Sequence, residues 1–176
     1  QAALQIVADE KADSGTRLAY LDLLGRLGKP EIVGKLLPLL GSAPPAIKRA
    51  TMLALMNYDD PKIGQTICSR YHTSLPAEHD LRSTAQRVLA SRAVWTRQLL
   101  AEVDEFRIQP ATIPLDVVQQ MRLHADADIQ KQLDKHWGRT RATPQEKQTQ
   151  IARVRRLLAQ ADAPSDVAGR ELFKRH

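Results

Sequence analysis

Five histidines, one cysteine and several carboxylate pairs are the residues of this 176-residue chain whose types could do chemistry. Histidines paired at helical spacing would bind a transition metal, a cysteine beside a histidine would make a nucleophile, and paired carboxylates would serve acid-base work. The spacing supports none of these. His72, His79, His124, His136 and His176 are scattered, and no two stand at the i, i+4 interval of a helical metal site. Cys68 and His72 stand four apart, which supplies two ligands and not the Cys-x-x-Cys-His arrangement that attaches haem. Asp59-Asp60 and the Asp126, Asp128 pair fall where turns are expected, and capping explains them. The sequence has no Gly-rich phosphate loop, nucleophile elbow or dinucleotide fingerprint. The expectation is a chain with no catalytic residue, metal ligand or cofactor-binding residue of its own, and so not an enzyme.

Any site must therefore be carried by the helices that the apolar periodicity announces. Leu18, Leu21, Leu24 and Leu27 fall at helical spacing, preceded by Ser14-Gly15 and closed by Gly28-Lys29-Pro30, which reads as a helix with a stop. Ile32, Val33, Leu36, Leu37 and Leu40 follow after a very short connection and end at Gly41-Ser42-Ala43-Pro44-Pro45. Two helices so closely joined must be antiparallel neighbours. The balance of 43% apolar against 26% charged residues is that of a folded domain. No apolar run approaches a membrane-spanning helix, and residues 1–10 lack the layout of a signal peptide.

The unit then recurs. Arg17, Arg49 and Arg82 align at spacings of 32 and 33 residues, with Leu24, Met56 and Leu89 seven positions on. In the second helices Ile32, Ile63 and Trp95 align, as do Leu36, Ile67 and Leu99, and Leu37, Cys68 and Leu100. A two-helix period of this length is the signature of an α-solenoid, in which stacking completes a core that no single repeat can bury. The Trp-Leu-Gly-Tyr pattern of tetratricopeptide repeats and the Thr-Pro-Leu-His of ankyrin repeats are absent. The expected fold is all-α: a HEAT-like α-solenoid of antiparallel helix pairs over residues 1–106.

This alignment reads Cys68 as a buried, inert thiol and Trp95 as a core filler. Arg17, Arg49 and Arg82 have two readings, a ladder gripping an anionic ligand or pairing with nearby carboxylates and repeat edges, and the second is the simpler.

Past Phe106 the period breaks at Arg107-Ile108-Gln109-Pro110 and Ile113-Pro114. Residues 107–162 read as C-terminal helices that pack on and cap the stack. Leu115 to His124 and Ile129 to Trp137 form two of them, with Asp126 and Asp128 available as caps and Gly138 as a stop. A third is introduced by a Thr143, Glu146 capping box with Pro144 at its first position, and carries Arg153, Arg155 and Arg156. The net charge of +6 is concentrated here: from Arg139 onward 9 basic residues face 4 acidic ones, against 17 and 16 before it.

The run Leu89-Ala90-Ser91-Arg92-Ala93-Val94-Trp95, then Leu99-Leu100, Met121 to Asp126, Trp137-Gly138, Pro144-x-x-Lys147 and Gly169-Arg170-Glu171-Leu172-Phe173 resembles a distinctive group. These are the large multi-domain haem-binding proteins of planctomycetes and verrucomicrobial relatives. There, a β-propeller resembling sugar dehydrogenases is followed by HEAT-like repeats and then a c-type cytochrome domain, whose first helix looks like Gly-Arg-x-x-Phe just before Cys-x-x-Cys-His. The resemblance covers roughly Leu81 to His176. It implies that residues 163–176 are a linker and the start of a cytochrome c-like domain. It implies haem c beyond His176, and a periplasmic or otherwise extracytoplasmic parent. This chain has no Cys-x-x-Cys-His, so architecture carries over and no functional residue does; Trp95, Trp137 and Gly169 are assigned to packing and chain geometry.

Two functions are expected from this. One is a scaffold connecting a dehydrogenase-like domain to a c-type cytochrome domain, with neighbouring domains or another protein as partners. The alternative is a basic HEAT-repeat module that binds nucleic-acid backbone through Arg17, Arg49, Arg82, Arg153, Arg155 and Arg156. The near-neutral first 138 residues place nucleic acid second.

Overall fold

The computed structural model describes residues 2–138, 148–149 and 151–156, and every regular element among them is helical. Two compact units divide the chain, Gln1–Gly138 and Arg139–His176. Among the described residues no helix is long and apolar enough to cross a membrane.

The first unit begins with α1 (Ala2–Ala8) and α2 (Ser14–Leu27). Asp13 caps α2 by accepting from the Thr16 backbone N–H at 2.9 Å, and Gly28 ends it in the left-handed conformation, φ 63°. The next apolar run forms two short pieces, α3 (Val33–Leu36) and α4 (Leu39–Ser42), because Pro38 between them has no N–H to continue the ladder. Then come α5 (Pro45–Leu55), α6 (Pro61–Arg70), α7 (Leu81–Ala90) and α8 (Ala93–Asp104). The unit closes with α9 (Leu115–Arg122) and α10 (Ala127–Trp137). Asp126 caps α10 through the Asp128 and Ile129 N–H groups, and Gly138 stops it at φ 70°.

Helix contacts run in two series. In the first, α2 packs on α5, α5 on α7 and α7 on α9; in the second, α4 packs on α6, α6 on α8 and α8 on α10. Both series pass residue 106 without a break, so α9 and α10 continue the arrangement that the sequence ended at Phe106. The irregular 105–114 stretch that hid this continuation contains the short turn Pro110–Thr112.

Side chains tie successive members of the first series, and one pair of the second, together over a nearly constant distance along the chain. The segments just after α5, α7 and α9 reach back to the end of the preceding helix. Tyr58 Oη donates to Leu24 O, Arg92 Nη2 to Met56 O at 3.2 Å and His124 Nε2 to Ala90 O at 2.9 Å, across 34, 36 and 34 residues. In the second series Trp95 Nε1 donates to Asp60 O and Gln98 Nε2 to Pro61 O, across 35 and 37 residues.

Burial agrees with two of the three second-helix columns: Ile32, Ile63 and Trp95, and Leu36, Ile67 and Leu99, are all buried, whereas in the third Cys68 and Leu100 are buried and Leu37 is only half-buried. The first-helix column differs. The positions that recur in the core are Arg17, Ile47, Leu81 and Ile113, then Leu21, Thr51, Ala85 and Val117, then Gly25, Leu55, Leu89 and Met121. Arg49 and Arg82 thus stand two and one residues past the equivalent of Arg17, and Met56 is 37% exposed. Gly25 is required where α2 crosses α5, since a Cβ there would stand 2.9 Å from Ala54 Cα.

In the second unit residues 151–156 are helical, with exposed side chains. The Thr143, Pro144 and Glu146 capping signature, Gly169 and the expected linker at 163–176 lie outside the described residues.

Candidate functional site

The connection from α6 to α7 builds a concave surface on the first unit. After Arg70 ends α6, the Ser74 and Leu75 N–H groups both bond to the Arg70 carbonyl, at 2.9 and 3.2 Å, which turns the chain and buries Leu75. The carbonyls of these same two residues are then taken by cations from different helices. Lys48 of α5 donates from Nζ to Ser74 O at 2.8 Å, and Arg82 of α7 donates from Nε to Leu75 O at 3.0 Å. The Arg82 guanidinium also lies over the Tyr71 ring, 5.5 Å from its centre, a cation-π geometry. Arg70 folds back so that its guanidinium fills the space a side chain at Gly41 would need. Burial pulls the Lys48 ammonium below its ordinary pKa, and the nearby Arg70 charge pulls the same way.

Two adjoining clefts result. The first, about 450 Å³, is lined by Gly41, Lys48, His72, Ser74, Glu78 and Arg82 among others. The second, about 520 Å³, shares His72, Ala77 and Arg82 with it and continues along Tyr71, Phe106 and Pro114. Gln86 fixes the floor by donating to Tyr71 Oη at 2.7 Å and to Thr112 O at 3.0 Å. His72 Nε2 lies 2.5 Å from Arg107 O, so that nitrogen carries the proton and donates. Phe106 stands at the rim, 84% exposed, in a left-handed backbone conformation with φ 57°.

The arginines singled out by the sequence occupy unlike surroundings. Arg17 is buried and donates from Nε to Val7 O at 3.1 Å, which holds α1 on α2. Arg49 is exposed on α5. Arg82 lines both clefts. Arg153, Arg155 and Arg156 are exposed on the helical segment of the second unit. Lys48 and His72 line the first cleft with Arg82, and Arg70 lies against Gly41 of that lining; the sequence weighed His72 only beside Cys68 and singled out neither Lys48 nor Arg70. The available signal was the pair Lys48-Arg49: choosing Arg49 to fit an arginine column passed over the neighbour that faces the cleft.

Several of the other chemistry-bearing residues make contacts within the fold. Burial, with Glu102 adding to it, pushes the Cys68 thiol up to about 12, so it stays protonated. His136, Lys135 and Gln132 of α10 all converge on the Asp104 carboxylate at the end of α8, Lys135 at 2.8 Å and Gln132 at 3.0 Å. These bonds, Lys135 first and then His136, hold the Asp104 carboxyl down to about 2. Asp60 caps α6 by accepting from Lys62 N at 2.8 Å, and Arg97 pairs with the capping Asp126. Among the described residues no three His, Cys, Asp or Glu side chains are grouped so that they could hold a metal ion.

No protein-family model, curated protein or solved structure matches this chain.

Proposed function

We propose that the chain is a non-catalytic helical-repeat scaffold, a HEAT-like solenoid of antiparallel helix pairs. In this reading it connects a dehydrogenase-like domain to a c-type cytochrome domain within a larger exported haem protein. The observation that supports the scaffold is the set of side-chain to backbone hydrogen bonds spanning 34–37 residues, which recur at three successive helix ends of the first series and join α6 to α8 in the second. Repetition of one interface is what a quasi-one-dimensional stack requires, because each repeat contacts only its neighbours. The connector role rests on the motif run from Leu89 to Phe173 and its resemblance to the haem-binding family.

The test uses the parent protein. Cys-x-x-Cys-His must be encoded shortly after His176; an unrelated sequence there ends the haem context. If it is present, residues 2–138 are replaced by a flexible Gly-Ser linker of equal residue count, and haem reduction is followed by absorbance after substrate is added to the dehydrogenase-like domain. A stiff spacer predicts that the replacement slows interdomain reduction, because a random coil no longer fixes distance and orientation. An unchanged rate sinks the connector.

A further inference from the structure

Lys48 and Arg82 line the first cleft together with Glu78, and the Arg70 guanidinium lies against Gly41 of the same lining. Arg26, Arg87, Arg97, Arg107, Arg122 and Lys135 are each ion-paired with a carboxylate. Among the described residues no carboxylate lies within ion-pairing distance of Lys48, Arg70 or Arg82. Lys48 and Arg82 are nevertheless fixed, one N–H of each being anchored on the Ser74 and Leu75 carbonyls. An ammonium has three donors and a guanidinium five, so each retains N–H groups for an outside acceptor. Cations held in place by the fold lose little conformational entropy when a ligand arrives. Along the adjoining cleft, which shares His72, Ala77 and Arg82 with the first, the exposed Phe106 ring and Pro114 offer an apolar surface.

We propose that this groove receives an acidic peptide segment of a partner protein, its carboxylates against Lys48, Arg70 and Arg82 and an adjacent apolar side chain against Phe106. The inference deepens the scaffold reading by naming the kind of partner that reading would bind. Charge complementarity selects the acidic half of the peptide. The apolar half favours a peptide over nucleic-acid backbone, whose binding grows with positive charge spread over many phosphates. The first 138 residues carry 17 basic and 16 acidic side chains, so they lack the net positive charge on which backbone binding depends.

The test titrates the full chain into a fluorescein-labelled peptide of three glutamates followed by leucine and phenylalanine, read by fluorescence anisotropy. Saturable binding is expected. Glutamines in place of the glutamates, or the Lys48→Gln, Arg70→Gln double variant, should weaken it about tenfold or more, and Arg26→Gln should leave it unchanged. Amide chemical-shift changes on the unaltered chain should centre on His72, Arg82 and Phe106, a readout that survives if the double variant fails to fold. Absence of saturable binding, or shift changes elsewhere, overturns the proposal. Equal displacement of the peptide by a short DNA duplex would overturn it in favour of phosphate backbone. Peptide binding alongside an unchanged haem-reduction rate would end the connector reading alone; loss of peptide binding with slowed reduction would end this inference alone.

Discussion

The indole Nε1 of Trp95, near the start of α8, donates to the backbone carbonyl of Asp60, which caps the start of α6, at 3.0 Å. One side chain thereby joins the N-terminal ends of two successive helices while its ring, fully buried, packs over Gly64. Trp95→Phe keeps most of the apolar contact but removes the donor. Leaving the Asp60 carbonyl without it should cost about 1–3 kcal/mol in urea unfolding. A Cβ at Gly64 would stand 2.8 Å from Trp95 Cδ1, so Gly64→Ala should also destabilise, by about 1–3 kcal/mol. A neutral result for Gly64→Ala would mean that α6 and α8 separate easily.

Asp104 makes the junction of α8 and α10 sensitive to acid. Its folded pKa, about 2, lies below the ordinary 3.8. A depressed carboxyl contributes stability that is present above the unfolded value and lost as pH falls through the folded one. Wild-type stability should therefore decline between 3.8 and about 2 more steeply than that of Asp104→Asn. Parallel curves from the two proteins would remove Asp104 as the cause.

Cys68 should resist alkylation while the chain is folded. With its thiol pushed up from 9.0 to about 12, the thiolate fraction near neutral pH falls on the order of a thousandfold, and burial blocks access as well. Iodoacetamide labelling followed by mass spectrometry should be complete in denaturant and very slow without it. Rapid labelling of the folded chain would place Cys68 outside the core.

Arg17 and Arg49 should behave differently despite their alignment. Arg17→Gln removes a buried hydrogen bond to Val7 O and should cost about 1–3 kcal/mol, with faster amide exchange in α1. Arg49→Gln, on an exposed site, should stay within about 0.5 kcal/mol of wild type. Equal effects would restore the arginine column as a structural equivalence.

Much of this protein was legible in its sequence because the relevant physics is local. Helical periodicity, the stops at Gly28 and Gly138 and the cap at Asp126 each depend on residues within a few positions of one another. The Ile32, Ile63, Trp95 column could be read because large apolar residues at these positions have one place to go. The first-helix register could not. A helix tolerates a shift of one or two residues with little change in its apolar pattern, and three arginines at near-equal spacing mark no depth. Burial alone put Arg17 with Ile47 and Leu81. The continuation through α9 and α10 was hidden by the irregular stretch before them, and it emerged from packing against α7 and α8. The cleft lay further still from the sequence. Lys48 meets the Ser74 carbonyl across 26 residues, and Arg70 comes to rest against Gly41. Composition and spacing determined that the chain would be helical and where its helices would stop; only the tertiary structure decided which cations found partners within the chain and which were left facing a groove, because that depends on groups brought together from separate helices.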